Sequence, residues 1–139
     1  MKCLIVDDQT ENRMVLAKII APYGECDLVV DGSEAVELFE LGLEEGQPYD
    51  LVLLDIMMPV LDGQEALKKM RAVEDAAGTP ADEGSTIIMV TAVDATSEVK
   101  QANDERCSDY IHKPINRAKL LIKLAEHNLI PEDWWKEES

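Results

Sequence analysis

Short apolar segments alternate with longer segments of helical periodicity along this 139-residue chain, and that alternation constrains the fold most strongly. It predicts βα units, which place parallel strands in one sheet covered by helices on both faces. The predicted strands are Cys3–Val6, Cys26–Val30, Leu51–Leu54, Ile87–Val90 and Asp109–Ile111. The predicted helices are Glu11–Ile20, Ser33–Leu41, Gln64–Ala76, Thr96–Asp104 and Asn116–His127. We therefore expect an α/β, doubly wound (βα)5 fold with a five-stranded parallel sheet.

Local signals refine three of the predicted helices. Ser33 and Asn116 are polar residues at helix starts and are predicted to be N-caps. In the first predicted helix, the spacing of apolar positions predicts a face that packs on the sheet. That face consists of Met14, Val15, Lys18 and Ile19.

The length fits one domain, which we place at residues 1–128, followed by a short C-terminal tail at residues 129–139. Gly78–Ser85 is rich in Gly, Pro and acid, and is predicted to be an exposed loop rather than a domain linker. The tail carries Trp134 and Trp135. Packing of this pair on the fold is favoured slightly over a role as an anchor for a partner.

Composition excludes several classes of partner. A formal net charge of −16 disfavours nucleic acid and anionic lipid, because both bind through Lys and Arg. No apolar stretch approaches the roughly 20 residues of a membrane span, and Asp7 and Asp8 interrupt the N-terminal apolar residues too early for a secretory signal. We expect a cytoplasmic protein with no membrane partner. The three cysteines lack metal-type spacing and are predicted to be buried, reduced thiols.

Three carboxylates stand where predicted strands end. Asp7 and Asp8 end the first strand and Asp55 ends the third, and these strands are neighbours in the order 2-1-3-4-5. Clustered carboxylates repel one another unless a hard cation with oxygen ligands relieves the repulsion. We therefore expect Mg²⁺, which also accepts a phosphate oxygen as a ligand.

A hydroxyl and an ammonium approach the same crevice from the other side. Thr91 ends the fourth predicted strand and Lys113 follows the fifth. Phosphoryl transfer needs such groups to neutralise its anionic transition state, and a carboxylate is a competent nucleophile toward phosphorus. Lys113 precedes Pro114, so a cis peptide bond at that position is a further hypothesis.

Taken together, these residues resemble the pattern of a response-regulator receiver domain. The matching segments are Val6–Asp8, Asp55–Gly63, Thr91–Ala92 and Tyr110–Pro114. The resemblance covers about Lys2 to His127 and implies a flavodoxin-like fold. Each residue alone has an ordinary alternative, such as a solvated turn, a helix cap or a surface lysine, and only the joint spacing favours the functional interpretation.

The resemblance also implies a role for each matching residue. Asp55 would be the phosphoacceptor, while Asp7, Asp8, Asp55 and the backbone carbonyl of Met57 would bind Mg²⁺. Thr91 and Lys113 would hold phosphoryl oxygens, and Tyr110 would be the switch aromatic that responds to Thr91. The output face would comprise the fourth predicted helix, the fifth strand and the fifth predicted helix.

The expected function is that of a stand-alone, single-domain response regulator of chemotaxis type or a relay intermediate. It would accept a phosphoryl group from a histidine kinase or histidine phosphotransfer protein, then bind a downstream protein target or pass the group on. It would not be an enzyme beyond catalysing its own phosphorylation and dephosphorylation. The alternatives are a phosphate sink and a protein-binding module independent of phosphorylation.

Two other function classes fit the sequence poorly. A flavodoxin-like electron carrier needs a phosphate-binding loop after the first strand, where Asp7 and Asp8 would repel an FMN phosphate. An aspartate-nucleophile phosphatase of the haloacid-dehalogenase-like class places two acids in a DxD arrangement, whereas these two are adjacent. Met57 and Val93, two positions beyond Asp55 and Thr91, are apolar and cannot orient a hydrolytic water, which predicts a long-lived phosphoryl-aspartate.

Overall fold

A computed structural model of the chain describes residues 1–56, 62–80, 82–92 and 107–138. The strands are Lys2–Val6 (β1), Glu25–Val29 (β2), Leu51–Asp55 (β3), Thr86–Ala92 (β4) and Asp109–Lys113 (β5). The helices are Thr10–Ile20 (α1), Gly32–Glu44 (α2), Gly63–Ala76 (α3) and Arg117–Glu126 (α4), and a 3₁₀ helix follows at Trp134–Glu138. The predicted helix Thr96–Asp104 lies outside the described residues.

The five strands form one parallel sheet in the order β2-β1-β3-β4-β5, which confirms the predicted fold class. Every residue of β3 is buried, whereas β2 at the sheet edge is mostly exposed. The order reverses direction between β1 and β3, so their carboxyl ends flank the crevice in which doubly wound folds place their sites. No helix in the described part of the chain is both long enough and apolar enough to cross a membrane.

Alternate residues of the sheet face two separate apolar cores. In β1, Cys3 and Ile5 belong to one core, and Leu4 and Val6 belong to the other. The first core is closed by α1, α4 and the C-terminal tail, and the second is closed by α2 and α3. A strand with both faces covered must be apolar at consecutive positions, which explains why the short apolar runs predicted the sheet correctly.

The structure corrects the predicted packing face of α1. Met14 is 53% exposed, Val15 is 44% exposed and Lys18 is exposed too, whereas Ile19 is buried as predicted. The buried residues of α1 are Leu16, Ile19 and Ile20. Apolar residues at 14, 15, 16, 17, 19 and 20 satisfy helical spacing on more than one face, so the periodicity alone chose the wrong one.

One of the two predicted helix caps is also corrected. The N-cap of α2 is Asp31 rather than Ser33, because the Asp31 side chain accepts a hydrogen bond from the backbone N–H of Glu34. Asn116 caps α4 as predicted, accepting from the N–H of Lys119 at 3.0 Å. A carboxylate at the N-cap also interacts favourably with the helix dipole.

The C-terminal tail packs on the fold. Ile130 is 6% exposed and Trp134 is 9% exposed, and both belong to the core beneath α1 and α4. Trp135 is 56% exposed, so the packing interpretation of the tryptophan pair holds for Trp134 alone. The apolar core of the fold therefore extends beyond residue 128.

The loop that precedes β4 is attached by a buried ion pair that the sequence did not predict. Arg71 Nη1 donates to Glu74 Oε1 at 2.7 Å and to the Ser85 carbonyl at 2.9 Å, while Glu74 Oε2 accepts from the Ser85 N–H at 2.7 Å. A Cβ at Gly84 would lie 2.8 Å from Glu74 Oε1 and 3.0 Å from Arg71 Nη1. Only the outer part of the predicted loop is exposed, because the ion pair buries its end at Ser85.

Candidate functional site

The carboxylates of Asp7, Asp8 and Asp55 converge at the carboxyl edge of the sheet. Val6 pairs with Leu54 across β1 and β3, so Asp7 and Asp55 follow at the same level of the sheet. Each of the three acids offers an oxygen within 4.8 Å of the others. Asp7 and Asp55 are 1% and 3% exposed, whereas Asp8 is exposed to solvent. The predicted acidic cluster is therefore formed.

The first turn of α1 holds Asp7 in place. Asp7 Oδ1 accepts a hydrogen bond from the N–H of Gln9 at 2.9 Å and one from Asn12 Nδ2 at 3.5 Å. Arg13 Nη1 donates to the Asp7 carbonyl at 2.8 Å. The contacts of Gln9, Asn12 and Arg13 with Asp7 were not predicted, although these residues follow Asp7 by two, five and six positions and return over β1.

Asp7 Oδ2 is buried and accepts no hydrogen bond from any described residue. The Lys113 Nζ lies at an ion-pair distance of 3.5 Å from this oxygen. A buried carboxylate oxygen without a donor is costly unless a cation completes its environment. This oxygen, with two neighbouring carboxylates and no nitrogen or sulfur donor in the cluster, fits a hard divalent ion such as Mg²⁺.

Lys113 lies between two of the acids. Its Nζ is 3.2 Å from Asp55 Oδ2, which accepts a hydrogen bond from it, and 3.5 Å from Asp7 Oδ2. The Lys113–Pro114 peptide bond is cis, which confirms the hypothesis drawn from the sequence. One ammonium cannot balance three carboxylates, so the cluster keeps a net negative charge that attracts a further cation.

Thr91 lies on β4, next to β3, and Tyr110 lies on β5, one strand further from β3. Asp55 pairs with Val90 of β4, and Thr91 is the next residue, which places it at the same edge of the sheet with 1% of its surface exposed. Tyr110 pairs with Met89 one strand further on and is half-buried. Its ring meets the His112 ring edge-on, with centroids 5.8 Å apart.

The backbone on the α3 side of the site approaches Asp55 closely. A Cβ on Gly63 would lie 2.3 Å from the Asp55 carbonyl oxygen, and the Gly63 N–H donates to the Ile56 carbonyl at 3.0 Å. Asp62 caps α3 by accepting from the N–H of Glu65 at 2.9 Å. Gly63 therefore lets α3 begin directly against the strand that carries Asp55. Met57, whose carbonyl was predicted to bind Mg²⁺, lies outside the described residues, as does Val93.

The sequence model of the response regulator receiver domain matches residues 3–125, almost the whole of the chain. The protein belongs to this family. The polar residues of the crevice are thus arranged on a receiver domain, as the motifs around Asp55 and Lys113 predicted.

Curated relatives of this receiver domain include regulators and sensor proteins of very different length. The two-component response regulator ORR42 of Oryza sativa subsp. japonica is 35% identical over 134 residues, which are 93% of this chain and 84% of the rice protein. The sensory/regulatory protein RpfC of Xanthomonas campestris pv. campestris is 33% identical over 127 residues. That match covers 91% of this chain but only 16% of RpfC.

Solved receiver domains share the fold. The co-crystal structure of the Saccharomyces cerevisiae phosphotransfer protein Ypd1 with the receiver domain of Ssk1 matches with a TM-score of 0.79 and 27% identity, covering 95% and 93% of the two chains. The receiver domain of the Arabidopsis thaliana histidine kinase CKI1, complexed with Mg²⁺ and BeF3⁻, matches with a TM-score of 0.75 and 28% identity. The match to CKI1 covers 90% of this chain and 89% of the CKI1 chain.

Proposed function

We propose that this receiver domain accepts a phosphoryl group onto Asp55 from a phosphohistidine in a two-component phosphorelay, in a reaction that requires Mg²⁺. The observation that carries the proposal is the buried carboxylate of Asp55, held 3.2 Å from the Lys113 ammonium beside the unsatisfied oxygen of Asp7. A nucleophile, a cation and a metal-binding carboxylate pair are the groups that phosphoryl transfer to a carboxylate needs.

Asp55 acts as the nucleophile. One carboxylate oxygen forms a bond to phosphorus as the phosphorus–nitrogen bond to the donor imidazole breaks, and the imidazole leaves with the bonding electron pair. The Lys113 ammonium neutralises charge on the transferred oxygens, and the Thr91 hydroxyl donates a hydrogen bond to one of them. Both residues reach the crevice from the strands beyond β3, opposite Asp7 and Asp8.

Asp7, Asp8 and Asp55 would hold the metal together with the backbone carbonyl of Met57. Mg²⁺ bound there supplies positive charge to the phosphoryl oxygens. The hydrogen bonds from Gln9 and Asn12 occupy Asp7 Oδ1 and leave Oδ2 as the oxygen that would bind the metal, so these two residues would orient the metal-binding carboxylate.

Phosphorylation would be read through Thr91 and Tyr110. A phosphoryl group on Asp55 attracts the Thr91 hydroxyl, and Tyr110 on the adjacent strand would respond by changing rotamer. Tyr110 is half-buried and borders an open cleft of about 370 Å³ between β5 and α4. A change of its ring position would therefore alter a surface available to a downstream protein.

The donor surface would be the outer face of α1. Met14 and Val15 are exposed there, directly after Arg13, which binds the Asp7 carbonyl. Exposed apolar side chains beside a phosphoryl site suit docking of a phosphotransfer protein. The similarity to a receiver domain co-crystallised with the phosphotransfer protein Ypd1 supports this choice of partner.

Phosphorylation can be tested with a small-molecule donor. The purified protein is incubated with acetyl phosphate, with and without Mg²⁺, and its intact mass is recorded beside that of Asp55→Asn. We expect a gain of one phosphoryl group that needs Mg²⁺ and is absent from the variant. If Asp55→Asn still gained the mass of a phosphoryl group, the acceptor would be a residue other than Asp55. If the folded wild-type protein gained no phosphoryl group, the proposal would be refuted.

A further inference from the structure

Two cysteines lie side by side on β1 and β2, the last two strands at one edge of the sheet. Cys3 of β1 pairs directly with Cys26 of β2, and residues paired across parallel strands project to the same face. Both pack in the core beneath α1, and both are free thiols. Neighbouring strands lie about 4.8 Å apart, which is within the Cα separation of about 4.4–6.8 Å that a disulfide bridges.

The two thiols differ in access and in acidity. Cys3 is fully buried, whereas Cys26 is half-buried on the edge strand, so the prediction of buried cysteines holds only in part. The hydrogen bond with the Cys3 thiol lowers the pKa of Cys26 below its ordinary value of 9.0, although burial and Asp27 act in the opposite direction. The same hydrogen bond, followed by burial, raises the pKa of Cys3. Cys26 is therefore the thiol that a solvent-borne oxidant reaches and that ionises first.

We propose that Cys3 and Cys26 form a redox-active dithiol that a hydroperoxide oxidises to an intramolecular disulfide. The Cys26 thiolate attacks the outer peroxide oxygen, so that Cys26 becomes a sulfenic acid and the peroxide leaves as an alcohol or water. Cys3 sulfur then attacks the Cys26 sulfur, and the hydroxyl leaves with the Cys3 proton as water. Two thiols and one hydroperoxide thus give one disulfide, one water and one alcohol or second water.

This site is separate from the acidic crevice. Cys3 lies near the amino end of β1, whereas Asp7 follows the carboxyl end of the same strand. The dithiol and the phosphoryl site therefore lie at opposite ends of the parallel strands. The proposal does not rest on phosphorylation at Asp55. Cys107 packs against the other core, on the opposite face of the sheet, and provides a matched control.

The test uses the fully reduced wild-type chain, Cys26→Ser and Cys107→Ser, each treated with one equivalent of hydrogen peroxide and then alkylated under denaturing conditions. We expect peroxide treatment to lower the intact mass of wild type and of Cys107→Ser by two hydrogens. After alkylation, each of these two proteins should carry two fewer alkyl groups than its reduced form. Peptide mapping should show the Cys3 peptide joined to the Cys26 peptide. Cys26→Ser should form no intramolecular disulfide.

Peptide mapping of the oxidised wild-type protein shows whether Cys3 and Cys26 are joined, even if a variant folds poorly. A sulfinic acid on Cys26 with Cys3 still alkylatable would overturn the proposal, because the second thiol would then have failed to resolve the sulfenic acid. A disulfide-linked dimer, or a bridge that involves Cys107, would overturn it equally. Reversal of the expected disulfide by a dithiol reductant, with return of the original mass, would support it.

Discussion

The Lys113 ammonium lies 3.2 Å from Asp55 Oδ2 and 3.5 Å from Asp7 Oδ2, so one cation serves two buried carboxylates. Lys113→Met removes that charge where the transferred phosphoryl oxygens would collect. Loss of one such preorganised contact slows a reaction by about 10²-fold, and we expect a decrease of that order in phosphorylation by acetyl phosphate. Intact mass against time measures the rate. Lys119→Met, at an exposed position of α4, is the control, and equal rates in the two variants would contradict the assigned role.

Mg²⁺ is expected to raise the melting temperature of the apo protein. A ligand that binds only the folded state stabilises it by about 2.7 kcal/mol at a hundred times its dissociation constant. Asp8→Asn removes an exposed carboxylate of the proposed metal site without disturbing a core, so the Mg²⁺-induced shift should shrink. Its melting temperature without Mg²⁺ should rise, because one repelling charge is gone. Glu37→Gln, at an exposed position of α2, should leave the Mg²⁺ shift unchanged.

Slow loss of the phosphoryl group is expected because Met57 and Val93 cannot orient a water molecule. The phosphorylated protein, freed of donor and kept in Mg²⁺, should retain the added mass for minutes or longer. Met57→Glu introduces a group that can accept a proton from water and should shorten that lifetime. Decay of the wild-type mass within seconds, or an unchanged lifetime in the variant, would be inconsistent with this explanation.

Apolar runs predicted the fold, while local hydrogen bonding set most of the details that were missed. Strands such as β3 are buried on both faces, and a short continuous apolar segment is typical of such a buried parallel strand. The N-cap of α2 is the residue whose side chain accepts a hydrogen bond from a free backbone N–H of the first helical turn. Asp31 and Ser33 are both residue types that are favoured as N-caps. Sequence spacing does not distinguish two such neighbouring candidates.

The acidic residues of the site could be predicted because strand ends converge in this topology. The supporting contacts could not, since they depend on how α1 sits over β1. Arg13 contacts a backbone carbonyl, which leaves no trace in the sequence pattern. The buried pair Arg71 and Glu74 has the i,i+3 spacing of an ordinary surface ion pair, and its burial depends on the packing of Ser85 against it. Burial of a charge is a tertiary property.

Asp109 should contribute to stability in a pH-dependent way. Partial burial raises its pKa, but hydrogen bonds from the Lys123 ammonium, the Tyr110 N–H and His127 outweigh that effect and hold the pKa below its ordinary value of 3.8. A lowered folded-state pKa means that the contribution is complete above pH 3.8 and is lost as the pH falls through the folded-state pKa.

The matching experiment compares Asp109→Asn with wild type in urea at several pH values. We expect a loss of about 1 kcal/mol near neutral pH, typical of a partly exposed ion pair. The difference from wild type should shrink in the acid range below pH 3.8, where the wild-type carboxylate is itself protonated. Asp82→Asn in the exposed loop should show no such pattern. A difference that stays constant down to acid pH would show that charge is not the cause.

Trp134 and Trp135 are adjacent in sequence and opposite in environment, which makes them a matched pair. Trp134→Ala empties part of the core beneath α1 and α4, and such a truncation costs about 3 kcal/mol, whereas Trp135→Ala should cost little. Urea unfolding followed by circular dichroism measures both. Since the chain has only these two tryptophans, Trp135→Ala should retain a fluorescence that acrylamide quenches poorly, and Trp134→Ala one that it quenches readily. Equal costs and equal quenching would mean that the tail is not held against the core, and that residues 129–139 contribute nothing to folding.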